Sequence, residues 1–141
     1  MKRFFKPVKR LISFEEYMQD TLITAKRIVE VSRGKQRYSS AQFEMSLIAF
    51  GDLETLQQEM DDDIEVQFPK QLVFDWESGF DWLDLAVKNG DEDAIKYFKN
   101  KMQEKGFAAY YRIYKEKYRP DCALQDHEEK IKLKNFNSNF P

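Results

Sequence analysis

The stretch Leu47-Ile48-Ala49-Phe50-Gly51-Asp52-Leu53-Glu54-Thr55-Leu56 has a second version 39 residues further on, Ala86-Val87-Lys88-Asn89-Gly90-Asp91-Glu92-Asp93-Ala94-Ile95. Both open on two small or apolar residues, reach Gly-Asp after two more, and continue through an acid to an apolar residue. A glycine after an apolar helical run is a helix stop, because it adopts the left-handed conformation without a steric penalty. An aspartate directly after it is a helix start, because its carboxylate accepts from the free N–H groups of the next first turn. Each unit therefore reads as a helix, a tight Gly turn and a second, antiparallel helix.

At this point the chain resembles an ankyrin repeat, whose inner helix ends in A-A-x-x-G and whose outer helix continues x-x-E-V-V-K-L-L. The second unit is the better match, with Leu83, Ala86, Val87, Gly90, Asp93, Ala94, Ile95, Lys96, Tyr97 and Phe98 in register. Gly79 falls where that family places the glycine of the turn opening its unit. The usual T-P-L-H segment is Asp81-Trp82-Leu83-Asp84 here, and the spacing is 39 rather than the family's roughly 33. The resemblance covers about residues 41–101 and implies stacked antiparallel helical hairpins. Two units leave apolar faces uncovered, so flanking helices are expected as caps.

Working outward, Ser13 and Glu16 form an S-x-x-E capping box. Phe14, Met18, Leu22, Ala25 and Val29 then make one helical stripe to about Arg33, with Gly34 as the stop and Lys35 to Ser40 as a polar connector. Phe43, Leu47, Ile48 and Phe50 line a helix from about Ala41, and Asp52 caps a short one carrying Leu53, Leu56 and Met60. Ile64, Val66 and Phe68 alternate as in an extended segment, and Pro69 confines it to an edge or loop. Asp91 caps a helix carrying Ala94, Ile95, Phe98 and Met102 that Gly106 ends, and a last helix spans about 107–118, stopped by Pro120. Ile131 and Leu133 suggest a short strand in a loose end. The expected organisation is a basic arm at 1–12, one mostly α domain at 13–120 with minor extended segments, and a tail at 121–141. The core list adds Leu83, Ala86, Val87, Tyr110 and Tyr114 to these stripes.

Composition bounds the rest. A chain of 141 residues that is 42% hydrophobic, with 12 Phe, 7 Tyr and 2 Trp, carries enough apolar surface for one core. No apolar run is long enough to span a bilayer, and the first residues lack the apolar stretch of a secretory signal. A single cysteine, Cys122, fits a reducing, cytoplasmic setting. The net charge of −2 conceals an asymmetry: residues 1–38 balance at +6, residues 52–93 at −12 and residues 94–141 at +5. The acidic middle either pairs with the basic ends or presents an acidic face to a basic partner.

Catalytic patterns are sparse. His127 is the single histidine, so an H-E-x-x-H zinc site is impossible, and Cys122 lacks a C-x-x-C partner. Neither G-x-x-x-x-G-K-[ST] nor G-x-G-x-x-G occurs, and Asp61-Asp62-Asp63 lacks the alternation of an EF-hand loop. No enzyme, cofactor or metal is expected. Phe107, Tyr110, Tyr111, Tyr114 and Tyr118, interleaved with Arg112, Lys115, Lys117 and Arg119, are a core stripe, a base-stacking surface or a groove for a protein partner. The expectation is a non-catalytic protein-binding protein. By type it resembles small acidic immunity proteins or antitoxins, which cover a basic, nuclease-type toxin with carboxylates. Asp61, Asp62, Asp63, Glu65, Asp75, Glu77, Asp81 and Asp84 would form the acidic face, with Trp76 and Trp82 as aromatic anchors. An intracellular adaptor is the alternative; nucleic-acid binding through the basic ends is opposed by the acidic middle, and no membrane partner is expected.

Overall fold

The computed structural model of the chain describes residues 9–26, 35–60, 62–117 and 122–138. The elements run β1 (Arg10–Ser13), α1 (Phe14–Lys26), α2 (Lys35–Phe50), α3 (Leu53–Glu59), β2 (Ile64–Gln67), α4 (Trp76–Lys88), α5 (Glu92–Lys101), α6 (Lys105–Lys117) and α7 (Leu124–Ser138). The fold is mostly α, with one two-stranded sheet among the described residues.

The two Gly-Asp turns adopt the same geometry. Gly51 and Gly90 have φ of 71° and 83°. Asp52 N–H donates to Leu47 O at 3.0 Å and Gly51 N–H to Ile48 O at 3.1 Å; Asp91 to Ala86 and Gly90 to Val87 repeat the pattern at 3.0 and 2.9 Å. Each turn is a Schellman motif, which satisfies the carbonyls at the helix end. Each aspartate then caps the following helix, accepting from Thr55 N–H at 3.2 Å and from Ala94 N–H at 2.9 Å.

Helix α2 is central, lying most extensively against α4 and next against α1. Gly79 in α4 allows the close approach: a Cβ there would stand 2.6 Å from the Phe50 ring of α2. Phe50 in turn meets the rings of Phe80 at 5.1 Å and Phe107 at 5.5 Å. The core continues through Phe80, Leu83 and Phe98 to Tyr111 and Tyr114 on α6 and Leu124 on α7, all buried. Polar ties hold the edges of this packing. Gln42 donates to Ala25 O at 3.2 Å and accepts from Asn89 at 2.9 Å, joining α1, α2 and the turn after α4. Strands β1 and β2 pair in parallel, with Ile12 opposite Val66 and both buried.

Several expectations are corrected. Lys35 to Ser40 is the first part of α2 rather than a connector. Gly79 lies inside α4 and opens no turn; its role is close packing. Gly106 lies inside α6, and residues 102–104 make the turn before it. Ile131 and Leu133 belong to α7, not a strand, and Cys122 and Leu124 at the start of the expected tail are core residues. On α1 the buried positions are Tyr17, Thr21 and Ala25, with Phe14, Met18 and Leu22 packed partly buried beside them. On α6 Tyr111 takes the core place expected for Tyr110, which is 40% exposed. Ile95 is partly buried. The first eight residues and Val29, Arg33, Gly34, Asp61, Tyr118, Arg119 and Pro120 lie outside the described residues.

These two glycine environments predict different costs. Gly79→Ala overpacks the α2–α4 contact and lowers unfolding free energy by about 1–3 kcal/mol. Gly90 has open space around its Cβ position, so Gly90→Ala pays only left-handed strain, about 1–2 kcal/mol. Urea denaturation checks both, and only Gly79→Ala should alter the near-ultraviolet aromatic signal.

Candidate protein-binding face

The expected acids divide into those the fold uses and those it leaves to solvent. Asp84 is 3% exposed, and its carboxylate accepts from Leu124 N–H at 3.2 Å, capping the start of α7. It is a structural residue and is removed from the expected face. Asp81 accepts from Tyr114 Oη at 2.7 Å, and Asp75 caps α4 through Ser78 N–H at 3.3 Å, yet both residues are exposed. Asp62, Asp63, Glu65 and Glu77 are exposed. Asp61 lies outside the described residues. Glu54, Glu92 and Asp93 are exposed acids that the expected face did not include.

The two tryptophans do not form one anchor. Six residues apart on α4, they point about 120° apart around the helix. Trp82 lines a shallow depression on α4 with Asp81, Leu85 and Lys88. Trp76 lies 5.2 Å from Tyr110 and 6.4 Å from Phe80, in a cleft of about 250 Å³ that also takes in Phe50, Phe74 and Phe107. The loop carrying Phe74 is held over the end of α2 by Asp75 N–H donating to Ala49 O at 2.8 Å. Phe74 stacks edge-on against Tyr110 at 5.6 Å and is still 51% exposed. Sequence reading offered a partner groove for the α6 tyrosines and missed that Trp76 and Phe74 complete this aromatic patch. Its signal was a second apolar stripe on α6, Phe107-Tyr110-Ile113, offset from the buried Tyr111-Tyr114 pair.

A second cleft, about 460 Å³, separates α3 from α5 and is lined by Asp52, Glu54, Glu59 and Asp93 together with Lys96 and Lys101. Burial, reinforced by the Asp93 carboxylate and a hydrogen bond with it, and by Asp91, pushes the Glu59 carboxyl up to about 7. Tyr97 closes the cleft, donating to Asp52 Oδ2 at 3.0 Å; burial and that carboxylate push its phenol up.

Of the residues singled out for reactivity, Cys122 sits in the core and His127 is half-buried. Cys122 is buried, 3.7 Å from Tyr111 Oη, and burial pushes its thiol up, away from the reactive thiolate. His127 lies on α7 rather than in a loose tail; burial, with Lys130 and Lys99 adding to it, holds its imidazole below the ordinary value. Among the described residues no group of three His, Cys, Asp or Glu is placed to hold a metal ion, and no helix is long and apolar enough to cross a membrane. No protein family, curated protein or solved structure matches the chain.

The Glu59 pairing predicts a pH dependence. Its folded value of about 7 lies above the ordinary 4.5. Between those values the folded state keeps a proton that the unfolded state releases, so stability falls as pH rises through the window. Glu59→Gln removes that loss. Chemical denaturation should find the variant equal to the parent near pH 4 and more stable at pH 8, by less than the full shift implies because the carboxyl is partly solvated.

Proposed function

We propose that the chain is a non-catalytic protein-binding protein that covers a basic partner with the acidic side built from residues 52–93, the partner being a nuclease-type toxin domain. The observation that carries this reading is where the acids end up. Glu54, Asp62, Asp63, Glu65, Asp75, Glu77, Asp81, Glu92 and Asp93 are exposed, against Lys70 and Lys88 as the exposed bases of the same segment. A basic end reaches the segment where Lys101 meets Asp52 at 3.9 Å, while Lys115 pairs with Glu128 and Arg10 with Glu16 outside it. Among the described residues the exposed acids of this segment outnumber its exposed bases, which makes its surface negative. Such a surface speeds encounter with a cationic partner and rejects anions, nucleic acid included.

The buried, protonated Cys122 and the separation of the acids into caps and exposed groups support a binding role over nucleophilic catalysis. The two matching Gly-Asp turns and the close α2–α4 packing support an ankyrin-like reading of residues 41–101. The aromatic burial of Tyr111 and Tyr114 supports core over base stacking for α6.

The test is capture from the source cell's lysate at low and moderate salt, followed by kinetics with the captured protein. A basic protein that elutes with salt, and whose nuclease activity the chain inhibits, is the expected result. Reversing Asp61, Asp62 and Asp63 to Lys should slow association about tenfold or more and flatten its salt dependence. An unchanged rate overturns the acidic face, and recovery of nucleic acid instead of protein shifts the function to the basic ends.

A further inference from the structure

We infer that an extended basic segment of the partner adds as a third strand along the outer edge of β2. This rests on the reading above that the partner is basic, and adds how its backbone is held. One bond fixes the direction of the backbone groups in the sheet. Arg10 N–H donates to Asp63 O at 2.9 Å, and the strands are parallel with Arg10 opposite Ile64. In that register Arg10 and Ile12 of β1 bond to Asp63, Glu65 and Gln67, and the directions alternate along each strand. The N–H and C=O groups of Ile64 and Val66 therefore point away from β1. No backbone bond from another described segment reaches them. Among the described elements, α1 alone packs substantially against this two-stranded sheet. A row of backbone groups without partners at a sheet edge is a template for another strand.

Charge decides between the two edges and selects the occupant. The exposed Lys9 and Arg10 border the outer edge of β1 and repel a basic strand. The exposed Asp62 and Asp63 lead into β2, which carries the exposed Glu65. The ion pairs of the described residues engage Glu16, Asp52, Glu104 and Glu128, so these three carboxylates keep their charge for a ligand. Alternation then specifies the side chains. Val66 is buried, and Ile64, on the same face of the strand, is half-buried. Glu65 and Gln67 lie on the opposite face and are exposed. Side chains directly opposite in adjacent strands stand about 4.5–5.5 Å apart. A segment alternating basic with β-branched residues thus sets its cations beside Glu65 and its hydrocarbon beside Ile64.

The experiment is amide hydrogen exchange by NMR on the full chain, alone and with a nine-residue peptide alternating Thr and Lys. Fluorescence anisotropy of the dye-labelled peptide gives its affinity. In the chain alone, the Ile64 and Val66 amides should exchange faster than those of Glu65 and Gln67. The peptide should slow Ile64 and Val66 about tenfold or more and leave Leu11 on β1 unchanged. Methylating the three central amide nitrogens of the peptide keeps its charge and removes its donors. That should weaken binding about fivefold or more. Val66→Pro, checked for an intact thermal melt, deletes one outward N–H without touching the bonds to β1 and should weaken the unmethylated peptide. Reversing Asp62 and Asp63 to Lys should weaken both peptides. Ile64 and Val66 amides already protected in the chain alone overturn the open edge. Salt-dependent binding that ignores methylation and leaves their exchange unchanged overturns strand addition while the acidic face stands. Protection of Leu11 in their place overturns the choice of β2. Failure of both peptides to bind overturns the added strand and the acidic face together.

Discussion

Phe80 is the side chain on which the other elements close. It is fully buried, and its ring meets Phe50 of α2, Trp76 of its own helix, and Phe107, Tyr111 and Tyr114 of α6, all with centroids 5.1 to 6.4 Å away. Ring pairs at these distances contribute about 0.5–1.5 kcal/mol each beyond the area they bury. The neighbouring Gly79 makes the arrangement possible, because a side chain there would push Phe50 out of reach. One residue without a side chain thus lets α2 and α4 approach this closely.

Carboxylates perform two kinds of work in this chain. Asp52, Asp75, Asp91 and Asp84 each accept from a backbone N–H at the start of a helix, where the helix dipole also favours negative charge. Their removal would cost the local element about 1 kcal/mol each, whatever partner the chain meets. Asp62, Asp63, Glu65 and Glu77 carry no such duty in helix capping and stay in water. The like charges concentrated in residues 52–93 are tolerated because most stay solvated, where mutual repulsion is screened. Where burial combines with a neighbouring carboxylate, at Glu59 beside Asp93, one carboxyl holds its proton well above the ordinary range.

The acidic surface and the aromatic cleft meet at α4. The start of α4 carries Asp75, Trp76 and Glu77, so one short stretch holds both exposed carboxylates and a ring of the aromatic cleft. Helix α6 supplies the opposite wall because it is apolar on two stripes, one turned to the core and one, through Tyr110 and Ile113, left at the surface.

Read as a sequence, the chain announces what depends on local chemistry. Gly51-Asp52 and Gly90-Asp91 carry their own stop and start signals, so both turns, both caps and the helices around them follow from a few adjacent residues. The alternation of Ile64, Val66 and Phe68 likewise gave away an extended segment, although not its parallel partner β1, since pairing depends on residues more than fifty positions away. The failures have a common cause. Over residues 39–50 helix α2 is buried on most sides, with Ser39, Gln42 and Ser46 satisfied inside the core, so the polar residues before its apolar stripe read as a connector. Helix α7 is polar along most of its length and is held by Leu124, Cys122 and the Asp84 cap, contacts that no local pattern announces. The sequence by itself determined the helical class, the repeated turn and the sign of the charge. Tertiary structure alone decided which acids cap helices and which stay exposed, and that Trp76 joins Phe74 and Tyr110 while Trp82 faces elsewhere, because exposure depends on what distant segments bring against each side chain.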